Sequence, residues 1–241
     1  IPLHFKATLG TEPDVANIVN ALIKLESNYN VNAITALNPR TKGTTGYNYI
    51  NSSAVKIVFE TGTGLQKQHI EDGLRALGLM QVMGWNLVKG GSPSGLCEID
   101  RIRPDLSSGL VVNPGDDIQG VMLGEVNMEK AILAGLIVLE GKFKATYSTG
   151  RGFAVKGDPY MRLFPSKISG AVAAYLGLGK VDINGTMPYA YTASIVGGRM
   201  YALANGGNPY QIASTRTNII SQNGPNTNGI GQNRVNTIGC G

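Results

Sequence analysis

The chain is poor in the residues that mark several broad classes of protein. Two cysteines, Cys97 and Cys240, stand far apart in 241 residues, which excludes a disulfide-built scaffold and leaves their pairing open. Two histidines, His4 and His69, are too distant from each other and from the cysteines to suggest a metal site; no metal is assigned, and each is expected to be a surface or satisfied side chain. Charged residues make up only 15% and the formal charge is +5 without any basic run, so specific nucleic-acid binding is not expected. A mildly basic surface suits anionic polymers such as those of a bacterial envelope. The longest apolar run, AILAGLIVLEG from Ala131, is about half of what a bilayer requires, so no transmembrane segment is expected. IPLHFKATLG lacks the charged start and apolar core of a signal peptide. Because residue 1 is Ile, an N-terminal piece is expected to have been removed, and export could have been encoded there.

Hydrophobic residues at 42% and 33 glycines describe a compact globule with a weakly charged surface. Thr11, Glu12, Pro13 and Asp14 form a helix start, with a hydroxyl cap, a first-turn proline and acids where the helix dipole favours them. The spacing predicts a helix to about Tyr29 with an apolar stripe of Val15, Ile18, Val19, Leu22, Ile23 and Leu25. NPRTKGTTG, residues 38–46, is turn chemistry, and AVKIVF, residues 54–59, is β-prone and closed by Glu60 and the TGTG glycines. It is expected to be a strand or hairpin inserted between helices. Residues 70–88 have helical composition interrupted by Gly73, Gly78 and Gly84, glycines that close approach of backbone or ligand would explain. Asp116 and Asp117 can cap a helix to about Gly124, and Asn127 a longer, mostly apolar core helix to about Ala145. A further helix starts at Pro165–Ser166 with Ile168, Val172, Tyr175 and Leu176 on one face, and a last one starts at Tyr189. Residues 206–241 form an Asn- and Gly-rich C-terminal tail that buries little apolar surface. The expected fold is mainly α, of the α+β kind, with a small β-hairpin insertion.

One carboxylate stands out. At about 100° per residue, Glu26 projects within roughly 30° of the centre of the first helix's apolar stripe. Burial there disfavours the charged form and raises the pKa, which a general acid at neutral pH requires. The plainer alternative is a Glu that caps a loop or pairs with Arg40 or Lys42. ALGLMQVMGWN, residues 76–86, poses a matching question, because Gln81 is an amide among apolar residues and needs a structural partner or a ligand. Gly62 and Gly64 lack the strand–Gly–helix context and the lysine of a phosphate loop, and no cofactor is assigned. Trp85 is expected to be a core anchor.

LESNYN with Glu26-Ser27, then GLMQVM (78–83), then AVAAYLGLGKV (171–181) resemble, in order, the signature of lytic transglycosylases and goose-type lysozymes: a Glu-Ser at a helix end, a Gly-Leu-Met-Gln segment and an Ala-Tyr-Asn-like segment. VKIVFETG, with Phe59-Glu60, and QVMGWN (81–86) are similar to a phage and bacterial N-acetylmuramidase family of the same lysozyme-like superfamily. The resemblance covers roughly residues 14–200. It implies a lysozyme-like helical domain over residues 1–205, acting on the β-1,4 bond between N-acetylmuramic acid and N-acetylglucosamine of peptidoglycan glycan strands. By that likeness Glu26 is the catalytic acid and base, Ser27 bonds substrate or acid, Gly78 and Met80 line the sugar site, Gln81 holds an N-acetyl group or a ring hydroxyl, and Tyr175 offers a phenol and a ring face. Glu60 and Asp72 are candidates for the second carboxylate that an inverting hydrolase needs. Leu176 stands where the pattern has Asn, which removes an amide from the sugar site, and Gly84 replaces the proline common in transglycosylases.

The implied enzyme is a lytic transglycosylase or a muramidase working at the bacterial cell wall or in the periplasm, and possible as a virion-associated or secretion-apparatus lysin whose tail contacts other subunits. The alternative is a structural virion or assembly protein that keeps a lysozyme-like domain for wall binding. A carbohydrate-binding module without catalysis is a third, weaker idea.

Overall fold

The computed structural model describes residues 15–91, 98–158, 161–164 and 166–177. Among the described residues the structure is mainly helical with two small two-stranded sheets, and the chain divides into two compact units, one of residues 22–141 and one of residues 1–21 with 142–241. The start of the first helix, the helix expected from Tyr189, His4, both cysteines, the boundary near residue 205 and the tail lie outside the described residues.

In the unit of residues 22–141, helix α1 (Val15–Ser27) supplies Leu22 and Ile23, both buried. Three short helices follow: α2 (Thr45–Ile50), α3 (Ser53–Thr61) and α4 (Gly64–Asp72). Thr44 caps α2 by accepting the Tyr47 amide, and Thr63 with Gln66 forms a reciprocal capping box at the start of α4. AVKIVF is therefore helical, which corrects the expected strand. Its partly or fully buried residues are Val55, Val58 and Phe59, at helical spacing, whereas Ile57, which a strand would place with them, is 63% exposed. β-Branched side chains lower helix propensity only slightly, and packing of one face outweighs that.

The β-hairpin is present further along the chain, where helix was expected. After Asp72, strands β1 (Ala76–Leu77) and β2 (Val82–Met83) pair antiparallel, with Ala76 opposite Met83 and Leu77 opposite Val82. Gly78 sits at φ +70°, and a Cβ there would press on the Met122 carbonyl oxygen at 2.8 Å, so close backbone approach accounts for this glycine. Helix α5 (Glu98–Ile102) and the single turn α6 (Gln119–Met122) follow. Asp117 accepts the Gly120 amide at 2.9 Å, but Asp116 turns back to Asn113, so the helix expected to Gly124 is only one turn long.

Helix α7 (Met128–Lys144) is the expected core helix, with Ala131, Ala134, Leu136, Ile137 and Leu139 buried. Gly135 faces the Met80 side chain so closely that a Cβ would overlap its Cβ, Sδ and Cε atoms. Glu140 on the same helix is 1% exposed and accepts from Arg103 Nη1 at 3.2 Å. Asp105 and Glu140 together hold the Arg103 guanidinium above its ordinary value against the opposing effect of desolvation. Tyr49, 1% exposed, tilts against Trp85 with ring centroids 6.5 Å apart. Its hydroxyl lies against Gly73 and has no hydrogen-bond partner among the described residues. Burial, and secondarily the Asp72 carboxylate, push this phenol well above its ordinary value of 10.

In the other unit, strands β3 (Thr146–Ser148) and β4 (Phe153–Val155) form a hairpin in the register Thr146–Val155, Tyr147–Ala154 and Ser148–Phe153. Val155, Phe164, Ala173 and Ala174 form a small core to which Phe153 adds. Helix α8 (Lys167–Tyr175) buries Ile168 and Val172, two of the residues assigned to its inner face.

Two stability outcomes follow from this packing. Gly135→Ala should lower the free energy of unfolding by about 1–3 kcal/mol in urea titrations, because crowding against Met80 outweighs a helix-propensity gain of about 1 kcal/mol; equal or greater stability would disprove the contact. Tyr49→Phe removes a buried hydroxyl that makes no bond and should raise stability by about 1 kcal/mol at neutral pH. The folded phenol keeps its proton while the unfolded one ionises near 10, so wild-type stability should fall as pH rises above 10, and the difference from Tyr49→Phe should widen there.

Candidate active site

Glu26 and Ser27 end α1, and the chain turns immediately. Asn28 and Tyr29 both take left-handed φ, at 50° and 64°, an uncommon pair outside glycine. The Asn30 amide donates to the Ser27 carbonyl at 3.0 Å, and Asn30 Oδ1 accepts the Asn32 amide at 2.9 Å. This Asn-rich turn reverses the chain and leads it onto β1. Gly78 N–H donates to Ala33 O at 2.9 Å, Ile34 bridges Leu77 in antiparallel fashion, and Thr35 N–H donates to Ala76 O at 3.1 Å. Thr35 Oγ1 in return accepts the Ala76 amide at 2.8 Å. The stretch just after Glu26 thus acts as a third, short strand beside the hairpin.

Gln81 closes this arrangement. Its carboxamide nitrogen donates to Ala33 O at 3.1 Å and to Gly78 O at 2.9 Å. Both partners are carbonyls, which only accept, so the NH2 end must face them and the amide oxygen is the end left to receive a donor. Gln81 itself has φ 49°, so the loop 78–81 holds an L side chain in a conformation it rarely adopts. The amide among apolar residues therefore has structural partners, one in its own loop at Gly78 and one at Ala33, on the segment that follows Glu26.

Other residues singled out in the sequence sit as follows. Glu26 is half-buried, at the end of the stripe of Ile18, Val19, Leu22 and Ile23, all buried. Ser27 Oγ donates to the Ile23 carbonyl at 3.0 Å, a bond within its own helix. Arg40 pairs with Glu71 at 3.0 Å. Met80 is fully buried against Gly135, in the core of its unit. Glu60 is exposed on α3 and pairs with Lys56 at 3.7 Å, and no hydrogen bond or ion pair among the described residues ties it to the hairpin. Asp72 is buried and pairs with Arg75 Nε at 3.4 Å. His69 Nδ1 lies 3.0 Å from the Gly115 carbonyl, the satisfied role expected of it. Tyr175 ends α8, half-buried, in the other unit.

The comparisons decide no family. Family models, curated proteins and solved structures all give no match to this chain. The site therefore rests on its geometry, and two braces within it were not singled out from the sequence. Arg75 is the first: paired with Asp72, it donates from Nη1 to Thr35 O at 3.0 Å and ties residues 33–35 to the start of the hairpin. Asn38 is the second, its Nδ2 donating to Leu74 O at 3.0 Å. An Asp and an Arg three residues apart, and an Asn before Pro39, were the available signals, but neither names its partner strand.

Gln81→Ala removes both carboxamide bonds and should cost about 1–2 kcal/mol of stability, with faster amide hydrogen exchange at Gly78 and Thr35. An unchanged urea midpoint and unchanged exchange would show that the amide does not hold the loop.

Proposed function

We propose that this chain is a peptidoglycan-cleaving glycosidase of the lysozyme-like kind, with Glu26 as its acid and base. The observation that carries this reading is the hydrogen-bonded seam between residues 33–35, which follow Glu26 after the turn at residues 27–32, and the Gly78–Gln81 loop. The loop belongs to the Gly-Leu-Met-Gln segment of the resemblance, and residues 33–35 follow its Glu-Ser segment, LESNYN, after the turn. The shared fold assignment, lysozyme-like, is part of the same proposal.

The chemistry needs a carboxyl that can give and then take a proton. Glu26 protonates the glycosidic oxygen as the bond to the muramyl C1 breaks. The carboxylate left behind then removes a proton from the nucleophile that attacks C1. If that nucleophile is the muramyl 6-hydroxyl, the product is a 1,6-anhydro sugar and one carboxyl suffices. If it is water held by a second carboxylate, the product has a reducing end. No hydrogen bond or ion pair among the described residues ties Glu60 to the hairpin, and Asp72 is buried and paired with Arg75, which favours the route that needs no second carboxylate. Lytic transglycosylation is therefore the preferred form of the proposal. Gln81 would use its oxygen to take an N–H or O–H of the sugar, Gly78 would shape the loop beneath it, and Met80 would support the wall from inside. Ser27 remains a proposed substrate contact. The bacterial wall or periplasm is the proposed place of action.

Purified sacculi provide the test. Glu26→Gln should reduce clearing by about 10²–10⁴-fold with the thermal midpoint unchanged, and mass spectrometry of wild-type fragments should find 1,6-anhydro ends. Equal clearing by the variant would remove Glu26 from its role, and reducing ends would replace the transglycosylase with a hydrolase. Binding of sacculi by both proteins without released fragments would favour the wall-binding assembly protein, the reading that Leu176 in place of the expected Asn supports.

A further inference from the structure

The positive charge of this chain is unevenly placed. Residues 22–141 hold ten Lys and Arg against twelve acids, whereas residues 142–241 hold ten against two, so the overall excess resides in the second part. Within residues 142–177 the basic side chains are Lys142, Lys144, Arg151, Lys156, Arg162 and Lys167, and the single acid is Asp158. Asp158 is 7% exposed and is gripped by Arg162, whose Nε and Nη2 donate to its two oxygens at 2.8 and 2.7 Å. This stretch therefore presents no exposed carboxylate.

The β3–β4 register sorts its side chains by face. Thr146, Val155 and Phe153 turn inward: Val155 and Phe153 join the small core, and Thr146 and Val155 both lie against Gly170 of α8. Tyr147, opposite Ala154, is on the other face, and Lys156, two residues beyond Ala154, shares that face; it is covered at Ala154 and open at Tyr147 and Lys156. Tyr147 is 45% exposed and Lys156 is exposed, as is Arg151 in the hairpin loop. Phe164 pairs with Phe153 at the hairpin's other edge. Just before it, Leu163 is 49% and Met161 67% exposed. Met161 is no accident of a loose end: its φ is 47°, its amide donates to Asp158 O at 3.2 Å, and the Asp158–Arg162 clamp flanks it. A large apolar side chain held outward in a conformation such residues avoid incurs a cost in strain and in exposure, and contiguous exposed apolar groups mark interaction sites.

We propose that the exposed side chains of this hairpin and its edge segment, Tyr147, Lys156, Met161 and Leu163 with Arg151 at the tip, dock on an anionic phospholipid bilayer. Lysine and arginine meet lipid phosphates, the tyrosine suits the headgroup level, and methionine and leucine enter the acyl boundary. Charge alone would fit any polyanion. The two exposed aliphatic side chains offer nothing to the hydrogen-bonding edges of a soluble polyanion, and they select hydrocarbon.

Vesicle flotation of the full chain tests this independently of wall cleavage. Wild type should float with vesicles of phosphatidylcholine mixed with phosphatidylglycerol, should not float with phosphatidylcholine alone, and should be released by salt. The pair Arg151→Glu with Lys156→Glu should lower the partition coefficient about tenfold or more. Met161→Ser with Leu163→Ser should also lower it, with thermal midpoints unchanged in both. If the charge-reversed pair does not fold, Arg151→Gln with Lys156→Gln replaces it. Failure to bind the anionic vesicles overturns the proposal, as does binding that either pair of substitutions leaves unchanged. An unchanged Met161→Ser, Leu163→Ser protein that polyglutamate displaces from vesicles would identify a polyanion site instead.

Discussion

The Ala33 carbonyl is the point on which the candidate site depends. It accepts from the Gly78 amide and from the Gln81 carboxamide at once, so the turn after Glu26 and the tip of the hairpin share one acceptor. A carbonyl has two lone pairs, and both are used here. Breaking either bond in a half-buried seam leaves groups that water reaches poorly, which makes the joint costly to open. Arg75 adds a bond to Thr35 O while Asp72 neutralises its charge.

Beneath the seam, size matters more than polarity. Met80 belongs to the hairpin loop yet is fully buried on α7, and Gly135 is what admits it. The loop is thus polar at Gln81 and anchored by its apolar neighbour, which suits a loop that has to present one side chain in a fixed orientation. The rigidity comes from packing and the presentation from hydrogen bonds.

Much of the helical part was legible, for definite reasons. The apolar stripe of α1 repeats at 3.6 residues, and the apolar run of α7 is too long for a buried strand, so its length leaves little choice of structure. AVKIVF was misjudged as strand because Val and Ile carry β propensity, although Val55, Val58 and Phe59 are spaced for a helix and Lys56–Glu60 is a helical ion pair. The 76–83 hairpin was misjudged as helix because Leu and Met favour helices, while the decisive residues, Gly78 and Gln81 in left-handed backbone, carry no period at all. Of the candidate site, Glu26 and Gln81 were found from the sequence, whereas Arg75 and Asn38 were not, since their roles exist only across strands distant in sequence.

By itself the sequence determined the helical class, the core helix, the position of one carboxylate at a helix end and the oddity of one amide, because these follow from local period and composition. Tertiary structure alone decided that the amide belongs to the segment after that carboxylate, and that Met80 faces inward while Gln81 turns to the backbone. Register and long-range hydrogen bonds settle such questions, and neither is written in any short stretch of chain.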